Sequence, residues 1–270
     1  MTAAFPAPAW LVGCGNMAGA MVEGWRAGGV DFAGVTVIRP SGTPVDGIRT
    51  VTEYPEEQPR FVMLGFKPQK LGEIAPGLAP HVGSETIIVS MLAGVTAATL
   101  RKRFPEARAI VRILPNLPVA QVQGVTPIYS ADGGIDDLVE VQQLIASLGM
   151  IAWCETETEL GVIGAVASAG VAYVARFAEA LGRAAEALGV NPTRARSIAI
   201  QTLVGTGDLA KATGESMEEI ARRVASPKGT TEQGLAVLDA PDGLQQLVDR
   251  TIAAAVRRGQ QLAEEAARRD

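Results

Sequence analysis

The chain is poor in imidazole and thiol groups, with one histidine (His81) and two cysteines (Cys14 and Cys154) among 270 residues. His81 sits in "GLAPHVGS", which reads as a loop between a helix and a strand, apart from every motif described below. A Ser-His hydrolase triad or a histidine-assisted alcohol dehydrogenase is therefore not expected. Two cysteines far apart in sequence cannot form a disulfide framework, and neither has a His or a second Cys at metal-ligand spacing. Both are expected to be small buried apolar groups. Positive charge is also scarce: 24 Lys and Arg stand against 29 Asp and Glu, a formal net charge of −5 with the signs interspersed. Without a basic stripe or face, neither a nucleic acid nor a membrane surface is an expected partner. The first basic residue is Arg26, so the positive segment of a secretion signal is missing, and the longest uncharged apolar run, residues 160–175, is shorter than the ~20 residues of a bilayer span. These features predict a cytoplasmic protein acting on small molecules.

Apolar residues make up 47% of the chain, enough for two modest cores. Short β-branched or apolar runs recur at residues 10–13, 35–38, 61–66, 86–91, 109–114, 125–129 and 150–153, alternating with helical stretches. Runs of this kind are strands buried on both faces of a mostly parallel sheet. After Cys154 the strands stop, and Ala, Leu, Glu and Arg follow at helical spacing. The expected fold is α/β: a doubly wound sheet domain over residues 1–155, then an all-helical domain over residues 156–270.

In "WLVGCGNMAGAM", Gly13, Gly15, Asn16, Met17 and Ala18 lie between the first predicted strand and the first predicted helix. That is the Rossmann-like dinucleotide fingerprint with Ala at its last position. The glycines allow a tight turn and a close approach to a pyrophosphate, and the helix start supplies amide donors. An NAD enzyme would place an acidic residue about 20 positions further on, at the end of the second strand. Here "VIRPSG" offers Arg39, whose planar fork suits a 2′-phosphate, and the Ser41 hydroxyl. NADPH is the expected cofactor, with NADH the weaker alternative. Gly65, Phe66, Lys67 and Pro68 follow a buried strand at its carboxyl end, where ligands meet an open parallel sheet, and "SMLAGV", containing Ala93, ends another. Lys67 reads either as a cofactor contact or as a surface lysine. Asn116, between two prolines, reads as a ligand contact or as a structural turn.

Taken together, these motifs resemble the pyrroline-5-carboxylate reductases, which make proline from a cyclic imine with NAD(P)H. "GCGNMAGAM" resembles the family's opening motif, "GFKPQ" its Ala-Val-Lys-Pro-Gln, and "RILPNLPVAQVQGVTPIY" its Met-Pro-Asn-Thr-Pro segment. The most specific likeness is "VASPKGTTEQGL", close to the family's Ser-Pro-Gly-Gly-Thr-Thr loop. The resemblance implies that this loop grips the substrate through Ser226, Lys228, Gly229, Thr230 and Thr231, with Gly170 and Asn116 in segments that line the same site. Thr231 matches the threonine whose hydroxyl hydrogen-bonds the ring nitrogen. The amides of residues 228–231, at a helix start, would form an anion site for the substrate carboxylate, and Ser226 would serve chiefly as a helix cap. The resemblance implies that the helical domain makes a homodimer, which either stands alone or assembles further into decamers. Three departures stand out: Lys228 where relatives carry Gly, Val171 where they carry Pro, and Gly214 where several carry a substrate-contacting acid. The rivals are a hydroxyacid dehydrogenase, a broader imine reductase and a catalytically idle NADP-binding protein. The first needs a lysine on the first long helix of the second domain, and residues 160–188 contain none.

Overall fold

The structure, a computed structural model, describes residues 3–133 and 138–268. The elements in chain order are β1 Ala9–Val12, α1 Asn16–Ala27, β2 Val35–Ile38, β3 Arg49–Val51, β4 Phe61–Leu64, α2 Leu71–Leu78, β5 Ile87–Ser90, α3 Ala97–Arg103 and β6 Ala109–Ile113. There follow β7 Gly124–Ser130, α4 Val139–Ala146, β8 Gly149–Trp153, α5 Glu157–Ala167, α6 Gly170–Ala187, α7 Pro192–Thr213, α8 Met217–Val224, α9 Thr230–Leu238 and α10 Leu244–Ala267. Among the described residues one eight-stranded sheet forms in the order β3-β2-β1-β4-β5-β6-β7-β8. Every neighbouring pair is parallel except β6 and β7, which run antiparallel. The chain order reverses at β1, which is flanked by β2 and β4, so a crevice opens beyond the carboxyl end of β1.

The central strands are apolar throughout because both faces are covered. Leu11, Val37 and Met63 point into a core closed by Met21, Val22 and Trp25 of α1 and by Val141 and Leu144 of α4. Trp10, Val62 and Ile88 point the other way, into a core closed by Leu71 and Leu78 of α2 and Leu100 of α3. The Trp25 indole N–H donates to the Leu144 carbonyl (2.9 Å), tying α1 to α4. At the edges the rule lapses. Met150 of β8 is 66% exposed, and β3, which the sequence patterning did not predict, has no buried residue.

Two compact units divide the chain, Met1–Ala169 with Ala255–Asp270, and Gly170–Ala254. The strands end at Trp153, close to the expected break at 155/156, but α5 belongs to the sheet unit. Its anchors are polar. Glu157 Oε1 accepts from the buried Arg112 Nη1 (2.6 Å) and from the Ala97 amide (2.8 Å) at the start of α3. At the other end of α5, the Ser168 hydroxyl donates to the Leu114 carbonyl (2.6 Å). Removing the carboxylate would leave the Arg112 guanidinium buried and unpaired. Glu157→Ala is therefore expected to lose about 3 kcal/mol in urea unfolding, and the double variant with Arg112→Met to recover most of it.

In the second unit α6 packs on α7 along small buried residues, Ala178 and Gly182 against Ala195 and Ala199. Asn191 caps α7 by accepting from the Thr193 and Arg194 amides, and a reciprocal Ser216–Glu219 capping box starts α8. Phe177, Leu181, Ile198, Leu203 and Val204 remain exposed on this unit in a single protomer. The helical stretch Glu157–Ala187, 31 residues, is long and apolar enough to cross a membrane by length and composition, which corrects the shorter estimate from the uncharged run alone. Its first part is α5, tied to the sheet unit by the bonds above, and its second part carries Arg176, Glu179, Arg183 and Glu186.

Candidate active site

The glycine loop is interlocked with the loop after β4. Gly13 adopts φ +82°, and a Cβ there would lie 2.8 Å from the Gly65 carbonyl oxygen and 3.2 Å from Phe66 Cβ. The Gly13 amide donates to Ile38 O (2.8 Å) and the Gly65 amide to Val12 O (2.9 Å), fixing both loops to the ends of their neighbouring strands. Gly15 is the N-cap of α1 and offers no side-chain cap, and the first turn carries no acid. The amides of Asn16, Met17 and Ala18 thus lie in the first turn, where no intrahelical acceptor exists; the first such bond runs from the Gly19 amide to Gly15 O (2.8 Å). Backbone without side chains beside uncapped helix-start amides fits a dinucleotide pyrophosphate.

Arg39 follows β2 at the same end of the sheet, half-buried, and makes no ion pair with a carboxylate among the described residues. Burial pushes the Cys14 thiol up, and the Arg39 guanidinium pulls it partly back, so its charge is felt inside the glycine loop. Cys14 is half-buried rather than buried as expected; Cys154 is buried, and burial and the nearby Glu159 carboxylate keep its thiol high. Ser41 is exposed in the turn that follows Arg39. Lys67 is exposed just before the 3-10 turn Pro68–Lys70, and Phe66 packs half-buried on the core. Ala93 is exposed in the loop after β5. Beside it lies an element the motifs did not flag: α10 returns to the sheet unit, where a Cβ on Gly94 would sit 2.8 Å from Leu262 Cβ. Between them is a cavity of about 350 Å³ lined by Pro68, Gln69, Ala93, Val95, Thr99 and Leu262, among others.

The Asn116 side chain is engaged within the protein. It is 6% exposed; its Oδ1 accepts from the Val125 amide (2.9 Å) and its Nδ2 donates to the Ala167 carbonyl (3.1 Å). It ties the turn after β6 to β7 and to the end of α5. Gly170 is buried at the start of α6, and a Cβ there would meet nothing within 4 Å.

The "SPKGTT" stretch is a turn followed by a helix start. The Gly229 amide donates to Ser226 O (2.9 Å), with Pro227 and Lys228 between them and Lys228 at φ +58°. Proline second and positive φ third are the marks of a type II turn, whose third position suits glycine. This explains the glycine of the relatives, and it makes Lys228 a strained substitution. Lys228→Gly is expected to raise stability by about 0.5–1 kcal/mol, the left-handed penalty less the entropy of glycine, read as a higher Tm in calorimetry. Ser226 does not cap α9; Gly229 is the N-cap, without side-chain help. Fewer amides are free here than the resemblance implies, because the Lys228 amide donates to Glu232 Oε2 (2.7 Å) and the Gly229 amide is spent in the turn. The Thr230 and Thr231 amides remain in the first turn of α9, with Thr231 half-buried and Thr230 exposed. Gly214 ends α7 at φ +71°, the common left-handed helix stop.

Comparison with known proteins places these features in one family. The family model for the pyrroline-5-carboxylate reductase dimerisation domain matches residues 157–262. A pyrroline-5-carboxylate reductase of Pseudomonas aeruginosa is 30% identical over 94% of this chain and 96% of its own length. Pyrroline-5-carboxylate reductase 3 of Macaca fascicularis is 31% identical over 93% and 94%. Among solved structures, a pyrroline-5-carboxylate reductase from Coxiella burnetii superposes with TM-score 0.86 at 28% identity, covering 96% of this chain and 99% of that one. The Plasmodium falciparum enzyme, solved with NADP bound, shares the fold with TM-score 0.82 at 20% identity over 94% and 97%. With a relative 30% identical along nearly its whole length and the family's dimerisation model matching its helical part, the chain belongs to the pyrroline-5-carboxylate reductase family.

Proposed function

We propose that the protein reduces Δ1-pyrroline-5-carboxylate to L-proline, the last step of proline biosynthesis, preferring NADPH to NADH. The observation that carries the reading is the turn at Ser226–Gly229, which leads into a helix whose first turn holds the free amides of Thr230, Thr231 and Glu232 and the Thr231 side chain. A carboxylate is acceptor-only and matches the Thr230 and Thr231 amides, while the Thr231 hydroxyl can partner the ring nitrogen. Gly229 serves this geometry by close approach, since a Cβ there would lie 2.9 Å from the Ser226 carbonyl oxygen. Gly13, Gly15, Asn16, Met17 and Ala18 would hold the pyrophosphate, Arg39 and Ser41 a 2′-phosphate, and Gly65, Phe66, Lys67, Pro68 and Ala93 the remainder of the dinucleotide. When bound, NADPH supplies the hydride for the C=N bond.

The chain's own residues then have little acid–base work to do. A protonated cyclic imine is already electrophilic, so the residues need only fix its carboxylate and its nitrogen, and orientation is worth roughly 7–11 kcal/mol in well-aligned cases. The reading assigns residues 1–155 to the nucleotide and residues 156–270 to dimerisation and substrate. It includes a cytoplasmic homodimer, either alone or assembled further into decamers, and no nucleic-acid or membrane partner. The exposed apolar side chains of α6 and α7 support association. Mixing the protein with NADPH and Δ1-pyrroline-5-carboxylate should yield proline, with much slower turnover of 1-pyrroline, which lacks the carboxylate. Equal rates on the two imines would remove the α9 anion site from the account, and no proline at all would remove the activity.

A further inference from the structure

The turn after β2 carries one more residue for the cofactor than the motif names. Arg39 is pinned to the sheet by its amide, which donates to Val51 O (3.0 Å), and its carbonyl accepts from the Gly42 amide (3.0 Å), closing a turn with Pro40 and Ser41 at its centre. Beyond the turn, Thr43 folds back on Ser41. Ser41 Oγ accepts from the Thr43 amide (3.3 Å) and from Thr43 Oγ1 (3.1 Å). A serine hydroxyl has two acceptor lone pairs and one proton. The Thr43 amide can only donate, whereas the two hydroxyls can share their bond in either sense; beside an acceptor-only group Thr43 Oγ1 donates, both lone pairs of Ser41 are then engaged, and Ser41 donates away from Thr43. A phosphate monoester is an acceptor-only group, and the Arg39 guanidinium two residues away supplies its charge partner. A ribose hydroxyl gains less from a pure donor, because it can also donate and would need an acceptor in return.

We propose that Thr43 is a positioning residue for cofactor choice: by filling both acceptor sites of Ser41, it fixes that hydroxyl as a donor to the 2′-phosphate of NADPH. This rests on the reading that Arg39 and Ser41 meet that phosphate. Valine has the shape of threonine without the hydroxyl, so Thr43→Val frees one lone pair of Ser41 and lets its proton turn, while Thr43→Ser keeps the donor.

The test is equilibrium binding by calorimetry of adenosine 2′,5′-bisphosphate and of 5′-AMP, which differ by the 2′-phosphate alone. The unsubstituted protein should bind the bisphosphate much more tightly. Thr43→Val should weaken it about five-fold while leaving 5′-AMP within two-fold, and Thr43→Ser should restore it. A purely structural role for Thr43 would weaken both probes together, and that result would overturn the inference, as would bisphosphate affinity unchanged in Thr43→Val. If the unsubstituted protein binds the two probes equally, the 2′-phosphate reading itself fails, a result recognisable before any variant is made.

Discussion

Gly13→Ala should lose at least about 100-fold in NADPH affinity while its helical content stays near that of the unsubstituted protein. Two effects act at the same atom. Residue 13 holds φ +82°, where a side chain costs roughly 1–2 kcal/mol, and the new Cβ would press 2.8 Å from the Gly65 carbonyl oxygen, a backbone atom that no rotamer change can move aside. The contact is mutual, since a Cβ on Gly65 would lie 2.9 Å from Gly13 O. Relief can come only from parting the two loops, which moves the α1 amides and the Gly65–Pro68 segment together. Fluorescence titration with NADPH gives the affinity, and circular dichroism checks the fold. Near-normal affinity in Gly13→Ala would mean that the dinucleotide does not cross this loop.

Thr231→Val should leave NADPH binding unchanged and lower kcat/KM for the imine about 100-fold, with Thr231→Ser recovering most of it. The helix start and its amides do not depend on the side chain, because the N-cap is Gly229 and no side chain caps α9. What valine removes is the one hydroxyl proposed to follow the ring nitrogen as it becomes an amine, and losing a single preorganised partner of a reacting atom typically costs about 100- to 1,000-fold. A loss confined to KM would instead place Thr231 in ground-state binding alone. Stopped-flow single turnovers separate the two outcomes.

The parts of the molecule legible in the sequence are those where one physical demand fixes both residue type and position. Strands such as Val35–Ile38 and Phe61–Leu64 are buried on both faces, so only continuous apolar runs satisfy them. Strand Arg49–Val51 is three residues on the sheet edge with no buried position, and such a strand leaves no pattern. The reversal of β7 was invisible because "VTPIY" buries the same residues whichever way it runs. Helix α5 was legible as a helix, yet its attachment to the sheet unit depends on Glu157 meeting Arg112 and on Asn116 reaching Ala167, pairs separated by 45 and 51 residues. At the α9 loop, the family likeness pointed to a loop before a helix start. Lys228 in the glycine position hid the turn type, and the Glu232 carboxylate on its amide could be found only in three dimensions.

The most direct test of the account follows the transferred atom itself. The protein is given NADPH carrying two deuterium atoms at C4 of the nicotinamide, together with Δ1-pyrroline-5-carboxylate, and the product is examined by mass spectrometry and NMR. The account predicts L-proline with a single deuterium, on C5, the carbon that was double-bonded to nitrogen. Tight NADPH binding with no deuterated proline would contradict it and leave a nucleotide-binding protein of this family without its reaction.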